Sequence, residues 1–157
     1  MTPDKLQLFD AVRATLDAEL AAIERVAAMA RDEATSEETR SEGKYDTRAT
    51  EASYLARGQA VRVAELRGLC AWFREREPLP SEDGVALGSV VRVSGPRPGW
   101  LLLAPTGGPT VQVAGIAVRL ISPDSPLGKA MLGVEQGDSF EVEGPQGIVS
   151  YCVEDLL

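Results

Sequence analysis

The chain has 157 residues, enough for one domain or two small ones, and its 44% hydrophobic content is ordinary for a folded protein. Its formal net charge of -8 argues against non-specific binding of nucleic acid phosphates as the main activity. It contains no histidine, the commonest zinc ligand and general base. No segment is apolar enough to span a bilayer and no signal-peptide pattern is present, so we expect a soluble, cytoplasmic protein.

A long helix is predicted over residues 3 to 35, which contain no Gly and no Pro after Pro3. Thr2 is the expected cap and Pro3 the expected first helical residue. One apolar row has a period of seven residues: Phe9, Leu16, Ile23 and Ala30. A second row holds Val12 and Val26, with Glu19 as a polar interruption between them. This heptad pattern predicts a helix packed against a partner helix.

A second helix is predicted from about Thr47 to Arg76. Its apolar residues lie near one face: Ala52, Leu55, Ala56, Val63, Leu66, Leu69, Cys70 and Phe73. Two helices joined by a short polar segment are expected to pack antiparallel. Thirty helical residues make an arm about 45 Å long. We therefore expect residues 1–77 to form a hairpin arm that can carry its tip to a distant site on another molecule.

The segment between the helices, near residues 35–46, is polar and is predicted to be the tip of the arm. Carboxylates surround it: Asp32, Glu33, Glu37, Glu38, Glu42, Asp46 and Glu51. One interpretation is a solvated acidic turn in which these carboxylates have no function. Alternatively, carboxylates on an arm can enter the active site of another protein and bind Mg²⁺ through oxygen, so that a bound water attacks a phosphodiester.

Residues 78–84 are rich in Pro and acidic residues and predict a linker to a β domain over residues 85–157. Six strand-like runs follow, and Gly-Pro and Gly-Gly-Pro segments separate the first three as hairpin turns would. The runs are 86–94, 100–104, 111–113, 117–122, 139–143 and 148–153. The last run is apolar on both sets of alternate residues, which predicts burial of both faces. Cys70 and Cys152 are far apart, and we expect each to be a small apolar core residue.

A turn and one short helix interrupt the strands between Ile121 and Gly133. Ser125 or Asp124 is the predicted cap, Pro126 suits the first helical position, and Gly133 suits the helix end. Leu127, Met131 and Leu132 are expected to pack on the sheet.

The amino-acid sequence of residues 121–133, followed by Gly137-Asp138 and a last strand, resembles the C-terminal domain of the Gre transcription elongation factors. This resemblance implies an α+β protein in which an antiparallel helical hairpin (coiled coil) precedes an FKBP-like antiparallel β domain with one short helix. It also implies docking of that domain on the rim of the secondary channel of bacterial RNA polymerase. The implied polymerase-binding residues are Asp124, Ser125, Pro126, Leu127 and Lys129.

The resemblance also gives the tip a role. Gre factors carry an Asp and a Glu at the start of the second helix, shortly before a tyrosine, and these help to hold the second Mg²⁺ of polymerase. Here Asp46 fits the aspartate and Tyr54 the tyrosine, but Ala49 stands three residues after Asp46 and Glu51 five. Five residues on a helix separate two side chains by about 140°. Three alternatives are open. In the first, the helix starts later and the Glu51 carboxylate turns towards Asp46. In the second, Glu42 takes the place of the family's glutamate, and in the third, this chain has lost efficient cleavage.

We therefore expect a monomeric elongation factor whose arm enters the secondary channel and stimulates cleavage of backtracked transcripts. Asp46, Glu42 and Glu51 would bind Mg²⁺ shared with the polymerase active site, with no ion held tightly by this chain alone and no turnover of its own. Two alternatives stay open. One is a regulator of the same channel without cleavage activity, and the other is a coiled-coil adaptor with a merely solvated tip.

Overall fold

The computed structural model describes the backbone of residues 1–40 and 47–157, and the side chains of 1–33, 35 and 57–157. Two long helices come first, α1 (Lys5–Arg40) and α2 (Thr47–Glu75). A mixed sheet with one short helix follows, which confirms the α+β fold with an N-terminal helical hairpin. Its elements are β1 (Val90–Ser94), β2 (Gly99–Leu103), β3 (Thr110–Val113), β4 (Ile116–Ile121), α3 (Pro126–Met131), β5 (Ser139–Gly144) and β6 (Gly147–Leu156).

The chain divides into two compact units, and the division differs from the expected boundaries at residues 77 and 85. One unit is Ala14–Ala71, the greater part of the hairpin. The other joins Met1–Arg13 and Trp72–Leu157. The base of the hairpin belongs with the sheet because its side chains bond there: Arg76 donates to the Leu87 carbonyl at 2.6 Å and Lys5 to the backbone oxygen of Leu157 at 2.9 Å.

Helix α1 begins two residues later than expected. The side chain of Asp4, not Thr2, caps it, accepting a hydrogen bond from the Gln7 amide at 2.8 Å. Asp is as good a cap as Thr, and its negative charge also favours the positive end of the helix dipole. Pro3 therefore lies before the cap rather than in the first turn, and it is buried.

The end of α2 is held by a side chain from α1. The Arg13 guanidinium donates to the carbonyls of Phe73 and Arg76, each at 2.8 Å. Carbonyls in the last turn of a helix have no intrahelical partner, so a cation there is stabilising. Phe9 and Phe73 pack edge to face at 5.4 Å between ring centres, which places the beginning of α1 beside the end of α2.

The buried stripe of α1 confirms the predicted row at Phe9 and Leu16 but corrects the second row. Val12 is buried, whereas Val26 is 50% exposed and Ala27 takes its place. The reason is the helical period. Eighteen residues make five turns of 3.6, so a straight helix returns to the face of Phe9 at residue 27, while a strict heptad drifts off it.

Glu19, the polar interruption of the predicted row, pairs across the hairpin. Its carboxylate lies 3.3 Å from the Arg62 guanidinium, and Glu24 pairs in the same way with Arg67 at 2.7 Å. All four side chains are partly exposed, so each pair contributes less than about 1 kcal/mol. On α2, burial of Val63, Leu66, Leu69, Cys70 and Phe73 confirms the predicted apolar face over the described residues.

The sheet has the strand order β3-β4-β2-β1-β6-β5. The expected antiparallel arrangement holds for β1/β2, β1/β6, β3/β4 and β5/β6. It is wrong for β2/β4, which pair in parallel, with Leu102 opposite Leu120. The segment after β2 does not turn back as a hairpin. It crosses to the sheet edge, where β3 pairs with β4 alone, and β4 then returns beside β2.

One face of the sheet packs against α3. Its core includes Val91, Leu103, Met131, Phe140 and Tyr151. The last strand, β6, is buried on this face only, because Ile148 on the other side is 68% exposed. The expectation that both of its faces are covered is therefore wrong. Cys70 is buried as expected, whereas Cys152 is only half-buried.

Candidate functional site

Helix α3 is fixed to the end of β4 by a network around Ser125. The Ser125 hydroxyl accepts a hydrogen bond from the Gly128 amide at 3.1 Å and donates one to the Ser122 carbonyl at 2.7 Å. Pro126 stands at the first helical position. Between the two predicted caps, Ser125 is therefore the one that acts, while the Asp124 amide bonds the Ser122 hydroxyl at 3.0 Å.

Gly128 sits so close to the preceding turn that it leaves no room for a side chain. A Cβ added there would lie 2.0 Å from the Ser122 carbonyl oxygen. This approach draws the start of α3 against the end of β4. It thereby sets the positions of Pro126 and Leu127, whose side chains line a neighbouring cleft.

This cleft, here called the α3 cleft, has a volume of about 860 Å³. One wall is the start of α3 and another is the turn between β5 and β6. The lining residues are Pro96, Arg97, Gly107, Arg119, Leu120, Ile121, Ser122, Ser125, Pro126, Leu127, Val142, Glu143, Gly144, Pro145, Gln146, Gly147, Val149 and Tyr151.

The α3 cleft is apolar inside and charged at some of its lining residues. Tyr151 is stacked on Phe140 at 5.6 Å between ring centres, which fixes its ring. Arg97 and Arg119 bring positive charge and Glu143 brings one negative charge. An apolar concave surface with exposed guanidinium groups suits a polypeptide segment that carries apolar side chains and a carboxylate.

The sequence-predicted polymerase-binding residues separate into two groups. Ser125, Pro126 and Leu127 line the α3 cleft. Asp124 and Lys129 are exposed but do not line it. Leu132, expected on the sheet, is 44% exposed because α3 ends at Met131 and the chain turns away.

Sequence reasoning missed Arg97, Arg119 and the β5–β6 turn. Arg97 lies in the β1–β2 turn and Arg119 on β4, and only the pairing of the strands brings them near α3. The available signal was alternation along β4, where Arg119 stands between the buried residues Val118 and Leu120 and so belongs to the opposite face.

The predicted tip residues are not brought together in the part of the chain that can be described. Glu42 and Asp46 lie outside the described residues, and only the backbone of Glu51 is described, within α2. Helix α2 begins at Thr47, directly after the residues that are not described, so the three alternatives for the second carboxylate stay predictions. Among the side chains of 1–33, 35 and 57–157, no group of three or more acidic or cysteine residues is placed to hold a metal ion.

A second cleft, here called the Lys5 cleft, lies beside the linker and has a volume of about 640 Å³. Burial, and secondly the positive charge of Arg76, lowers the pKa of Lys5 from 10.5 to about 8. Four carboxylates share the cleft wall: Glu75, Glu77, Glu82 and Asp83.

The second half of the sheet is similar to known proteins. Residues 111–156 match the family model described as "Transcription elongation factor, GreA/GreB, C-term". Transcription elongation factor GreA of Polaromonas naphthalenivorans (strain CJ2) is 29% identical over 103 residues, and the alignment spans 61% of each chain. The chain thus covers less than two thirds of that relative's length.

Two solved structures are also similar. GreA factor homolog 1 (Gfh1) of Thermus thermophilus is 20% identical, with 92% of this chain and 94% of that chain covered and a TM-score of 0.39. GreA/GreB from Nitrosomonas europaea is 25% identical, with 58% and 77% covered and a TM-score of 0.34. The family match shows that residues 111–156 are similar to the C-terminal domain of the GreA/GreB factors. No helix in the described ranges is long and apolar enough to cross a membrane.

Proposed function

We propose that this protein is a bacterial transcription elongation factor that inserts its helical hairpin into the secondary channel of RNA polymerase and stimulates cleavage of backtracked transcripts. The observation that carries the proposal is the match of residues 111–156 to the GreA/GreB C-terminal domain, behind a hairpin of two helices. Helix α1 alone has 36 residues, a length of about 54 Å.

In this proposal the α3 cleft docks on the rim of the channel. Three of the five residues named from the sequence resemblance line it, and they are held by the Ser125 network. Arg97 and Arg119 add charge-assisted hydrogen bonds to the partner. Such pairs are shorter and stronger than neutral hydrogen bonds and give an interface its specificity.

At the tip, Asp46 aided by Glu42 or Glu51 supplies carboxylate oxygens to a Mg²⁺ ion that polymerase holds in part. Mg²⁺ keeps several waters and is commonly bound by one or two protein carboxylates. The ion lowers the pKa of a bound water, which then attacks the phosphodiester. Polymerase supplies the rest of the active site, so this chain acts as a cofactor without turnover of its own.

A second candidate function is regulation at the same channel without cleavage. The sequence of the tip favours it, because Ala49 stands three residues after Asp46 and Glu51 five. In that case the arm occupies the channel, and the tip contributes too few ligands to the ion.

The test is RNA shortening in backtracked elongation complexes with Mg²⁺. We expect the wild-type chain to accelerate cleavage, and Asp46→Asn to reduce that acceleration by at least about tenfold, since one carboxylate ligand is lost. Asp83→Asn is the matched control. It makes the same change at an exposed linker residue, and it should behave as the wild type.

Equal acceleration by the wild type and Asp46→Asn would refute the role of Asp46 in binding Mg²⁺. A wild-type chain that binds polymerase without accelerating cleavage would identify the regulator instead. Failure to recover any polymerase subunit with the chain would leave the coiled-coil adaptor.

A further inference from the structure

A groove between α1 and α2, here called the seam groove, has a volume of about 360 Å³. Two rows of residues line it: Glu24, Ala27 and Arg31 on α1, and Ala60, Val63 and Arg67 on α2. Within each row the residues are three and four positions apart, so they lie on one face of their helix and form one wall of the groove. All six belong to the unit Ala14–Ala71, which places the groove within a single compact body.

The floor of the seam groove is apolar, and small side chains leave it unfilled. Ala27 and Val63 are buried, whereas Ala60 is exposed. Packed helices lie about 8–10 Å apart, and two alanines do not fill the space between them. Beside Ala60, the side-chain oxygen of Gln59 is buried without a hydrogen-bond partner in the part of the chain that the structure describes. Such orphaned groups are rare in folded proteins, so the packing of the hairpin is incomplete at this turn of α2.

The charges beside this floor are unequally matched. Arg67 donates from Nε and Nη2 to the Glu24 Oε1 atom, at 2.9 and 2.7 Å, so these two charges neutralise each other across the groove. Within the described residues, the Arg31 guanidinium makes one hydrogen bond, from Nε to the Ala27 carbonyl of the same helix, at the long distance of 3.5 Å. The seam groove therefore carries one positive charge that no carboxylate of the described residues balances.

We propose that the seam groove is a contact between the hairpin and the wall of the RNA polymerase channel, in which it receives an apolar side chain of polymerase that stands close to a carboxylate. The apolar side chain lies on Ala27, Ala60 and Val63. The carboxylate accepts hydrogen bonds from the two Nη atoms of Arg31. This inference rests on the proposed function, because an inserted hairpin is what brings the groove to the channel wall.

The volume and the chemistry of the groove favour this occupant. Sites for small molecules have volumes of about 300–1,000 Å³, so a groove of about 360 Å³ takes one or two side chains and not a whole helix. A carboxylate matches the planar guanidinium of Arg31 with two parallel hydrogen bonds. An RNA phosphate would also pair with Arg31, but it would leave the apolar floor uncovered, and the net charge of -8 repels a polyanion.

The first test fills the groove and measures the affinity of bacterial RNA polymerase for the full chain. We expect Ala60→Leu to bind about tenfold more weakly, because its larger side chain covers the floor that the partner needs. The new side chain lies on apolar atoms and alanine and leucine both favour a helix, so thermal unfolding should show an intact hairpin. Ala64→Leu is the matched control. Ala64 is exposed on α2 outside the groove, and this variant should bind as the wild type does.

The second test removes the unmatched charge. We expect Arg31→Gln to bind polymerase about five- to tenfold more weakly, since the partner's carboxylate loses its two charge-assisted hydrogen bonds. Arg25→Gln is the matched control, because it makes the same change in net charge at an exposed residue of α1 that does not line the groove. It should keep the affinity of the wild type.

The outcomes separate this inference from the function on which it rests. A wild-type chain that does not bind polymerase would overturn both. Binding by the wild type with no loss in Ala60→Leu, or with no loss in Arg31→Gln, would overturn the inference alone, because the proposed contact needs both the floor and the charge. Equal losses in a test variant and its control would also overturn it, since the effect would then not belong to the seam groove.

Discussion

At the scale of single residues, Ser125 and Gly128 set the geometry of the α3 cleft. Ser125 satisfies the free amide of Gly128 and the carbonyl of Ser122 with one hydroxyl group. Gly128 permits a backbone approach that any larger residue would block. The wall formed by Pro126 and Leu127 therefore depends on a contact between the backbones of α3 and of the turn before it.

Replacing Gly128 tests this contact. We expect Gly128→Ala to lower the free energy of unfolding by about 2–3 kcal/mol, because its Cβ would lie 2.0 Å from a backbone oxygen and the helix must move. Gly133→Ala is the matched control. Gly133 has a φ of 77° but no atom near its Cβ, so only backbone strain of about 1 kcal/mol is expected. Urea unfolding measures both, and equal losses would contradict a steric role for Gly128.

The sequence predicts the positions of some of these residues and not of others. The Ser125 cap and the Pro126 position follow from local rules, which depend only on neighbours in the chain. Arg97 and Arg119 become neighbours of α3 only through strand pairing. Lys5 meets Leu79 and Leu157 across separations of 74 and 152 residues. No local pattern indicates such meetings.

At the scale of elements, the period of the hairpin helices decides which side chains are buried. The heptad interpretation assigned Val26 to the seam, whereas a straight helix places Ala27 there. The apolar face of α2 was easier to predict, because Val63, Leu66, Leu69, Cys70 and Phe73 follow the helical period closely.

Two valines of the hairpin test this account. Val63 is 7% exposed, and we expect Val63→Ala to lower the free energy of unfolding by about 2 kcal/mol through lost burial and the resulting cavity. Val26→Ala should change it by less than about 0.5 kcal/mol, because little apolar surface is lost there and alanine favours a helix. Thermal or urea unfolding measures both. Similar losses for the two would restore the strict heptad seam.

The pairing of the strands in the sheet does not follow from their order in the chain. Turn residues after β1 correctly predicted the β1/β2 hairpin. The Gly107-Gly108-Pro109 segment carries the same residue types, yet it leads across the sheet and not into a hairpin. The pairing of β2 with β4 buries Leu102 and Leu120 side by side in the sheet, and that gain depends on residues far from the turn.

At the scale of the whole molecule, a hairpin of two helices precedes a β domain whose residues 111–156 match the GreA/GreB C-terminal domain. Both candidate functions, with and without cleavage, require the chain to bind RNA polymerase. The net charge of -8 favours a protein partner over bare nucleic acid. Polymerase binding is therefore the property on which both functions depend.

The most direct measurement is the affinity of bacterial RNA polymerase for the full chain and two variants with the same change in net charge. Arg119→Gln removes a guanidinium from the α3 cleft, whereas Gln112→Glu alters an exposed residue of β3 outside it. We expect the wild type to bind, Arg119→Gln to bind about five- to tenfold more weakly, and Gln112→Glu to match the wild type. Absence of binding by the wild-type chain would contradict the proposed function, and equal affinity of all three would contradict docking through the α3 cleft.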